Sequence, residues 1–138
     1  MNTLVLCVGL PRSGKSSWAK QQGHPVVNPD SIRLAIHGQA FLASAEPLVW
    51  STAHLMVSAL FIAGHTTVIL DATNLTEQRR NEWVSPEWVR RYEVFQTPKE
   101  MCIARAVDGG REYLVPVIER MAQNIQWPRT LEATVHEY

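Results

Sequence analysis

Eight residues near the amino end, Gly9-Leu10-Pro11-Arg12-Ser13-Gly14-Lys15-Ser16, fit the spacing G-x-x-x-x-G-K-[ST]. That spacing builds a cradle for an anion. Its glycines let successive backbone N–H groups turn inward around a phosphate. A helix opening at Lys15 would aim its positive end at the same point. Lys15 can then reach the outer phosphates of a nucleoside triphosphate, and Ser16 can ligate Mg²⁺. Gly9, Pro11, Arg12, Ser13, Gly14, Lys15, Ser16 and Ser17 are therefore the candidate nucleotide-binding residues. Arg12 has two open readings, contact with a phosphate or acceptor, or simple solvation. Kinases, GTPases and ATP-driven machines all carry such a loop, so the reaction must be read from other residues.

Three further clusters could supply it. Asp30 and Arg33 stand three residues apart at a helix start and share one face. A carboxylate there can take the proton of an attacking hydroxyl, and an arginine one turn away can hold an acceptor phosphate. The alternative is a helix-capping Asp beside a surface Arg. Asp71 ends the apolar run Val68-Ile69-Leu70, where a second acid could hold Mg²⁺ through water. Asn74, Arg79 and Arg80 follow it, with Asn74 and Arg79 as candidate acceptor contacts and a solvated helix face as the alternative for the arginines. Arg105 and Arg111 flank Asp108-Gly109-Gly110, whose glycines would let an arginine swing onto a transferring phosphate. A charged helix end followed by a loop explains the same residues.

The elements that must position these groups alternate. Residues 3–8 and 66–71 are continuous apolar runs, expected as strands buried on both faces. Val26-Val27-Asn28 is a short strand, and residues 91–96 alternate as another. Helices are expected from Lys15 to Gln22, after an N-cap at Asp30, from Pro47 to Gly64, over 77–84, after a capping box at Thr97–Glu100, and from Pro116 to Trp127. In the longest helix, Leu48, Thr52, Leu55, Met56, Ala59, Leu60 and Ala63 share a face and are expected to form core. The pattern predicts one α/β domain spanning residues 1–138, a three-layer sandwich with a mostly parallel central sheet. In such sheets ligands bind at the carboxyl ends of strands, and the first three clusters lie just after expected strands.

Composition narrows the partners. Of 138 residues, 46% are hydrophobic and 19% charged, which excludes disorder and fibre. Thirteen cations balance thirteen acids, so no general basic coat exists, although a local basic cleft is compatible. Ten of the cations are Arg, the residue suited to bidentate phosphate contacts. Two cysteines in apolar stretches fit a reducing compartment, and the cytoplasm is the expected location. No stretch of about 18 apolar residues is apparent, so no membrane partner is expected. The five histidines do not fall at metal-ligand spacing. Trp18 is expected behind the phosphate loop, and Trp50, Trp83 and Trp88 in core or rim.

GLPRSGKSSW, NPDSIR, VILDATNLTEQRR and the late R…GGR…VP…ERM resemble, in order, the phosphate loop, acceptor motif, third-strand motif and lid of polynucleotide-kinase-like P-loop kinases. The resemblance implies a P-loop fold, ATP and Mg²⁺ as cofactors, and a hydroxyl on DNA as acceptor. It implies that Lys15 and Ser16 bind the nucleotide phosphates and Mg²⁺, and some such kinases place the third-strand acid at the Ala72 position, one residue after Asp71. Asp30 would be the general base, Arg33 the acceptor-phosphate contact, and Arg111 or Arg105 the lid arginine. Ser31 stands where such kinases often carry a second Asp. NPDSIRLAIHG, AEPLVW and LFIAGHTTVILDATN are most similar to stand-alone phage kinases that phosphorylate 5-hydroxymethyluracil in DNA. Phosphorylation of a polynucleotide 5′-hydroxyl in end repair, a small-molecule or nucleoside kinase, and a non-catalytic nucleotide-binding module are the alternatives.

Overall fold

The computed structural model describes residues 1–39, 41–129 and 133–137. Along the chain run β1 (Thr3–Gly9), α1 (Lys15–Gln21), β2 (Val26–Val27), α2 (Pro29–His37), α3 (Glu46–Ile62) and β3 (Thr67–Leu70). They are followed by α4 (Glu77–Asn81), β4 (Val89–Phe95), α5 (Lys99–Asp108), α6 (Val115–Ala122) and β5 (Ala133–His136). The strands form one sheet in the order β2-β3-β1-β4-β5. Every pairing is parallel, so the sheet is wholly rather than mostly parallel.

Handedness explains how the helices distribute. A right-handed crossover moving one way along the sheet uses one face, and a crossover moving the other way uses the opposite face. Only β1 to β2 runs in the first direction, so α1 lies on its own face, packed through Ala19 and Trp18 against Val5, Cys7, Ile69 and Phe95. The remaining crossovers run the other way. Their helices share the larger core, where Val49, Ala53, Val57, Cys102, Ala106 and Ile118 meet Leu4, Leu6, Val8 and Val68. Burying each Val, Leu or Ile among them contributes about 1.5–3 kcal/mol, which makes β1 and β3 rigid supports for the loops at their ends.

The direction of crossover reverses at β1, where α1 goes to one face and the connection from neighbouring β3 goes to the other. This is the switch point at which a crevice opens beyond the carboxyl ends of parallel strands. The order β2-β3-β1-β4 lines up the segments starting at Asn28, Asp71, Leu10 and Gln96 along that rim.

Several expectations need correction. The buried face of α3 is Val49, Ala53, Val57 and Phe61, while Leu48, Leu55 and Met56 are exposed. The helix is apolar all round, so periodicity could not choose its inner face. With the short 3₁₀ turn before it, Ala43–Ile62 is 20 residues of mean hydropathy 1.3, long and apolar enough by composition to cross a membrane. Asn28, not Asp30, caps α2: its side chain accepts from the N–H groups of Asp30 and Ser31. Thr97 makes no cap for α5, because its hydroxyl donates instead to the carbonyl of Ser13 at 2.8 Å. Helix α6 stops at Ala122 rather than Trp127, and the chain then runs extended, with the Gln126 N–H donating to the Leu75 carbonyl. β5 was not expected at all.

Candidate active site

The loop after β1 is shaped by close backbone packing. A Cβ added at Gly9 would lie 2.6 Å from Ser13 Oγ and 2.8 Å from the Phe95 carbonyl oxygen, so this position admits no side chain. Gly14 takes φ 106° and Arg12 φ 67°, both left-handed. A non-glycine residue rarely adopts that conformation, and it is typical of sites where the surrounding fold over-determines the backbone. Two ties hold the loop to its neighbours. The Gly9 N–H donates to the Thr73 carbonyl at 3.0 Å, and Thr97 holds Ser13 from the side of β4.

Lys15 is buried beneath this loop. Its Nζ donates to the carbonyls of Leu10 at 2.7 Å and Gly9 at 3.0 Å and lies 3.4 Å from Ser13 Oγ. Burial lowers its pKa, and the carboxylates of Asp71 and Asp30 act in the opposite direction. An ammonium in a low-dielectric site is costly unless it meets an anion. Here the loop keeps that charge beneath N–H groups that a phosphate would occupy.

Ser16 and Asp71 come together from α1 and the end of β3. Ser16 Oγ donates to Asp71 Oδ2 at 2.6 Å. Asn28 Nδ2 donates to the same oxygen at 3.2 Å. Asn28 therefore fixes two things at once, the start of α2 through its oxygen and the Asp71 carboxylate through its nitrogen. Its position before Pro29-Asp30 is a legible N-cap signal, but its second role depends on β2 lying beside β3. A hydroxyl and a carboxylate at this separation fit Mg²⁺, a hard cation that takes oxygen ligands.

Across the rim, Asp30 and Arg33 share one face of α2, as their spacing predicts. The Asp30 side chain is 75% exposed, and its Oδ1 accepts from Arg33 Nη1 at 2.6 Å. Asn28, which accepts from the Asp30 N–H at 2.8 Å and donates to Asp71 at 3.2 Å, ties the start of α2 to the Ser16–Asp71 pair. Arg33 differs from expectation. Its Nε and Nη2 are taken by Glu46 in a two-bond fork at 2.9 and 2.7 Å, so it positions Asp30 with its remaining contact instead of presenting an open fork to an acceptor. This hydrogen bonding holds the Glu46 carboxyl below the usual carboxylate range. Glu46 was missed because it lies 13 residues from Arg33 and meets it only where α3 packs on α2.

Arg79 lies over the Trp50 ring at 4.5 Å and pairs with Glu82 at 3.2 Å. Stacking on an aromatic face fixes a guanidinium while leaving its edge available. Asn74, expected at the acceptor, is instead a loop anchor. It is 1% exposed, and its Nδ2 donates to the Cys7 carbonyl at 2.8 Å, while its own carbonyl accepts from Arg80 Nη1.

The late arginines separate. Arg105 Nη1 donates to the Arg12 carbonyl at 3.1 Å, and Arg12 Nη2 donates back to the Arg105 carbonyl at 3.3 Å. A Cβ at Gly109 would lie 2.9 Å from Arg12 Nη2, so this glycine permits the close approach. Arg105 is thus fixed on the nucleotide loop. Arg111 lies beyond Gly110, exposed, at the start of a 3₁₀ turn. Ser17 is exposed on α1 and Pro11 half-buried in the loop. Trp83 and Trp88 are core, and Trp18 packs edge-on against Phe95, as expected.

Comparison with known proteins places the family and the fold. A family model described as AAA domain matches residues 4–126. No curated protein matches. Among solved structures, a chain of the Pnkp1/Rnl/Hen1 complex is 27% identical, with a TM-score of 0.67, over 75% of this chain and 38% of that one. A chain in a structure of the Pnkp1/Rnl/Hen1 RNA repair complex is 19% identical, with a TM-score of 0.66, over 94% of this chain and 49% of that one. A gluconokinase from Sinorhizobium meliloti 1021 is 17% identical, with a TM-score of 0.64, over 97% of this chain and 81% of that one. The chain spans less than half the length of the first two. The fold is that of P-loop kinases.

Proposed function

The chain belongs to the AAA-domain family, and on that premise we propose that it is an ATP- and Mg²⁺-dependent kinase whose acceptor is a hydroxyl carried by DNA, the hydroxymethyl group of 5-hydroxymethyluracil. The observation that carries the kinase reading is Asp30, an exposed carboxylate held by Arg33 at the start of α2, where Asn28 joins its backbone to the Ser16–Asp71 pair. Simple nucleotide binding does not need a carboxylate held there.

The chemistry follows from these positions. The backbone N–H groups of Gly14, Lys15 and Ser16, together with the Lys15 ammonium, hold the β- and γ-phosphates of ATP. Ser16 and Asp71 would hold Mg²⁺, which would offset the negative charge of the phosphates. Asp30 accepts the proton of the acceptor hydroxyl. The hydroxyl oxygen bonds to the γ-phosphorus in line as the bond to the bridging β–γ oxygen breaks, and ADP leaves. Arg33, braced by Glu46, keeps Asp30 in place. Arg79, stacked on Trp50, offers the acceptor a phosphate contact, and Arg111 swings onto the transferring group while Arg105 stays fixed.

The 5-hydroxymethyluracil acceptor is supported by the likeness of NPDSIRLAIHG and LFIAGHTTVILDATN to phage kinases of that kind. The 27% identity to a chain of the Pnkp1/Rnl/Hen1 complex favours a second acceptor, a polynucleotide 5′-hydroxyl. γ-Labelled ATP offered with two DNAs separates them. One DNA has a free 5′-hydroxyl, and the other has blocked ends and internal 5-hydroxymethyluracil. Label is expected on the modified base after digestion to nucleosides. Label on the 5′ end supports the second reading, and label on neither DNA contradicts both.

A further inference from the structure

The outer side of α3 is unlike the outer side of a solvent-facing helix. No Asp, Glu, Lys or Arg occurs from Pro47 to Gly64. Opposite the buried Val49, Ala53, Val57 and Phe61, the helix carries Leu48, Leu55 and Ile62, exposed at 55%, 72% and 84%. A helix that is apolar all round is normally covered all round, yet among the described residues nothing covers this side. Three large side chains in one row make an apolar ridge of the kind that marks an interaction surface.

The spacing says what fits it. Leu48, Leu55 and Ile62 are seven residues apart, one above another along the helix, over about 21 Å at 1.5 Å per residue. The small residues Ser51, Thr52, Ser58 and Ala59 fill the gaps between them. The pattern is symmetric about Leu55. Reversed end to end, Leu48 coincides with Ile62, Ser51 with Ala59, Thr52 with Ser58, and Leu55 with itself. A surface that matches its own reverse is what a two-fold axis requires, since both subunits must present the same patch. The absence of charge removes any like-charge repulsion across such an axis. A lipid surface is less well matched, because helices lying on membranes carry Lys or Arg on their polar face and this one has none.

We propose that α3 is the self-association face of this protein, pairing antiparallel with α3 of a second copy about a two-fold axis through Leu55. Large side chains meet on the axis line, and the small ones between them let the helices approach to about 8–10 Å. The inference is independent of the kinase reading.

Sedimentation of the full chain tests it. A reversible dimer with micromolar dissociation is expected, as suits a contact of modest area. Its strength should change less than about twofold between low and high salt, since no charges take part. Leu55→Glu should weaken it at least tenfold while leaving the circular dichroism spectrum unchanged. Register is tested by oxidation. Leu55→Cys should cross-link to its own copy, and Leu48→Cys should not, because two such positions would lie about 21 Å apart, far beyond the ~7 Å limit between Cα atoms. The double variant Leu48→Cys/Ile62→Cys should cross-link. Cys7 and Cys102 are buried and do not interfere. A protein that stays monomeric at every concentration would overturn the proposal. So would a dimer indifferent to Leu55→Glu, cross-linking by Leu48→Cys alone, or binding to phosphatidylcholine vesicles in place of dimerisation.

Discussion

Asp30→Asn is expected to lower the rate of phosphoryl transfer by about 10²–10⁴-fold, the usual worth of a positioned base, while ATP affinity changes less than about threefold. The expectation rests on where this carboxylate stands. It is largely exposed at the rim, paired with Arg33 at 2.6 Å, and joined through Asn28 to the Ser16–Asp71 pair. Asparagine keeps the shape and still meets Arg33 with its oxygen, yet it cannot take a proton. It also lies outside the loop that holds phosphate, so binding should survive. Single-turnover transfer at saturating ATP, with nucleotide binding measured separately by calorimetry, distinguishes the two effects. Equal losses in both would mean that Asp30 supports the fold of the site. Transfer at the parent rate would remove it from the chemistry.

Lys15→Met is expected to abolish turnover, with a loss of at least ~10²-fold of the kind seen when a group stabilising transition-state charge is removed. The same variant should leave the melting temperature of the nucleotide-free protein within about 5 °C of the parent. Two opposed effects make the stability change small. Methionine removes the lysine donor from the Gly9 and Leu10 carbonyls, of which Leu10 keeps the Ser13 N–H, a loss of about 1–3 kcal/mol. It also removes a charge whose burial is unfavourable, as the lowered pKa of Lys15 records. A lysine kept for structure would give the reverse pattern, with a large fall in melting temperature and modest kinetic change. Thermal scans with and without ATP provide a second readout, because ATP should stabilise the parent and leave the variant unmoved.

The parts of this arrangement that were legible in the sequence depend on neighbours in the chain. The phosphate loop and its flanking elements lie within Thr3–Gln21, so strand, loop and helix signals reinforce one another. Asp30 and Arg33 needed only helical spacing, and Asp71 only its place at the end of an apolar strand. What escaped depends on residues brought together by the sheet. Glu46 meets Arg33 because α3 packs on α2, and Thr97 meets Ser13 because β4 lies beside β1. Asn74 has the composition of a polar loop residue, but it is drawn under the loop to satisfy the Cys7 carbonyl. The inner face of α3 could not be read for a different reason. Both of its sides are apolar, so the sequence pattern holds no preferred direction, and the side chosen from periodicity is the exposed one. β5 is four residues at a sheet edge with two of them exposed, too short to announce itself.

The most direct measurement is the structure of the protein with a non-hydrolysable ATP analogue, Mg²⁺ and a DNA bearing 5-hydroxymethyluracil. The acceptor hydroxyl is expected at hydrogen-bonding distance from the Asp30 carboxylate, about 2.6–3.2 Å, and in line with the γ-phosphorus above Lys15. A hydroxyl seated against another base, with Asp30 turned to solvent, would contradict the account.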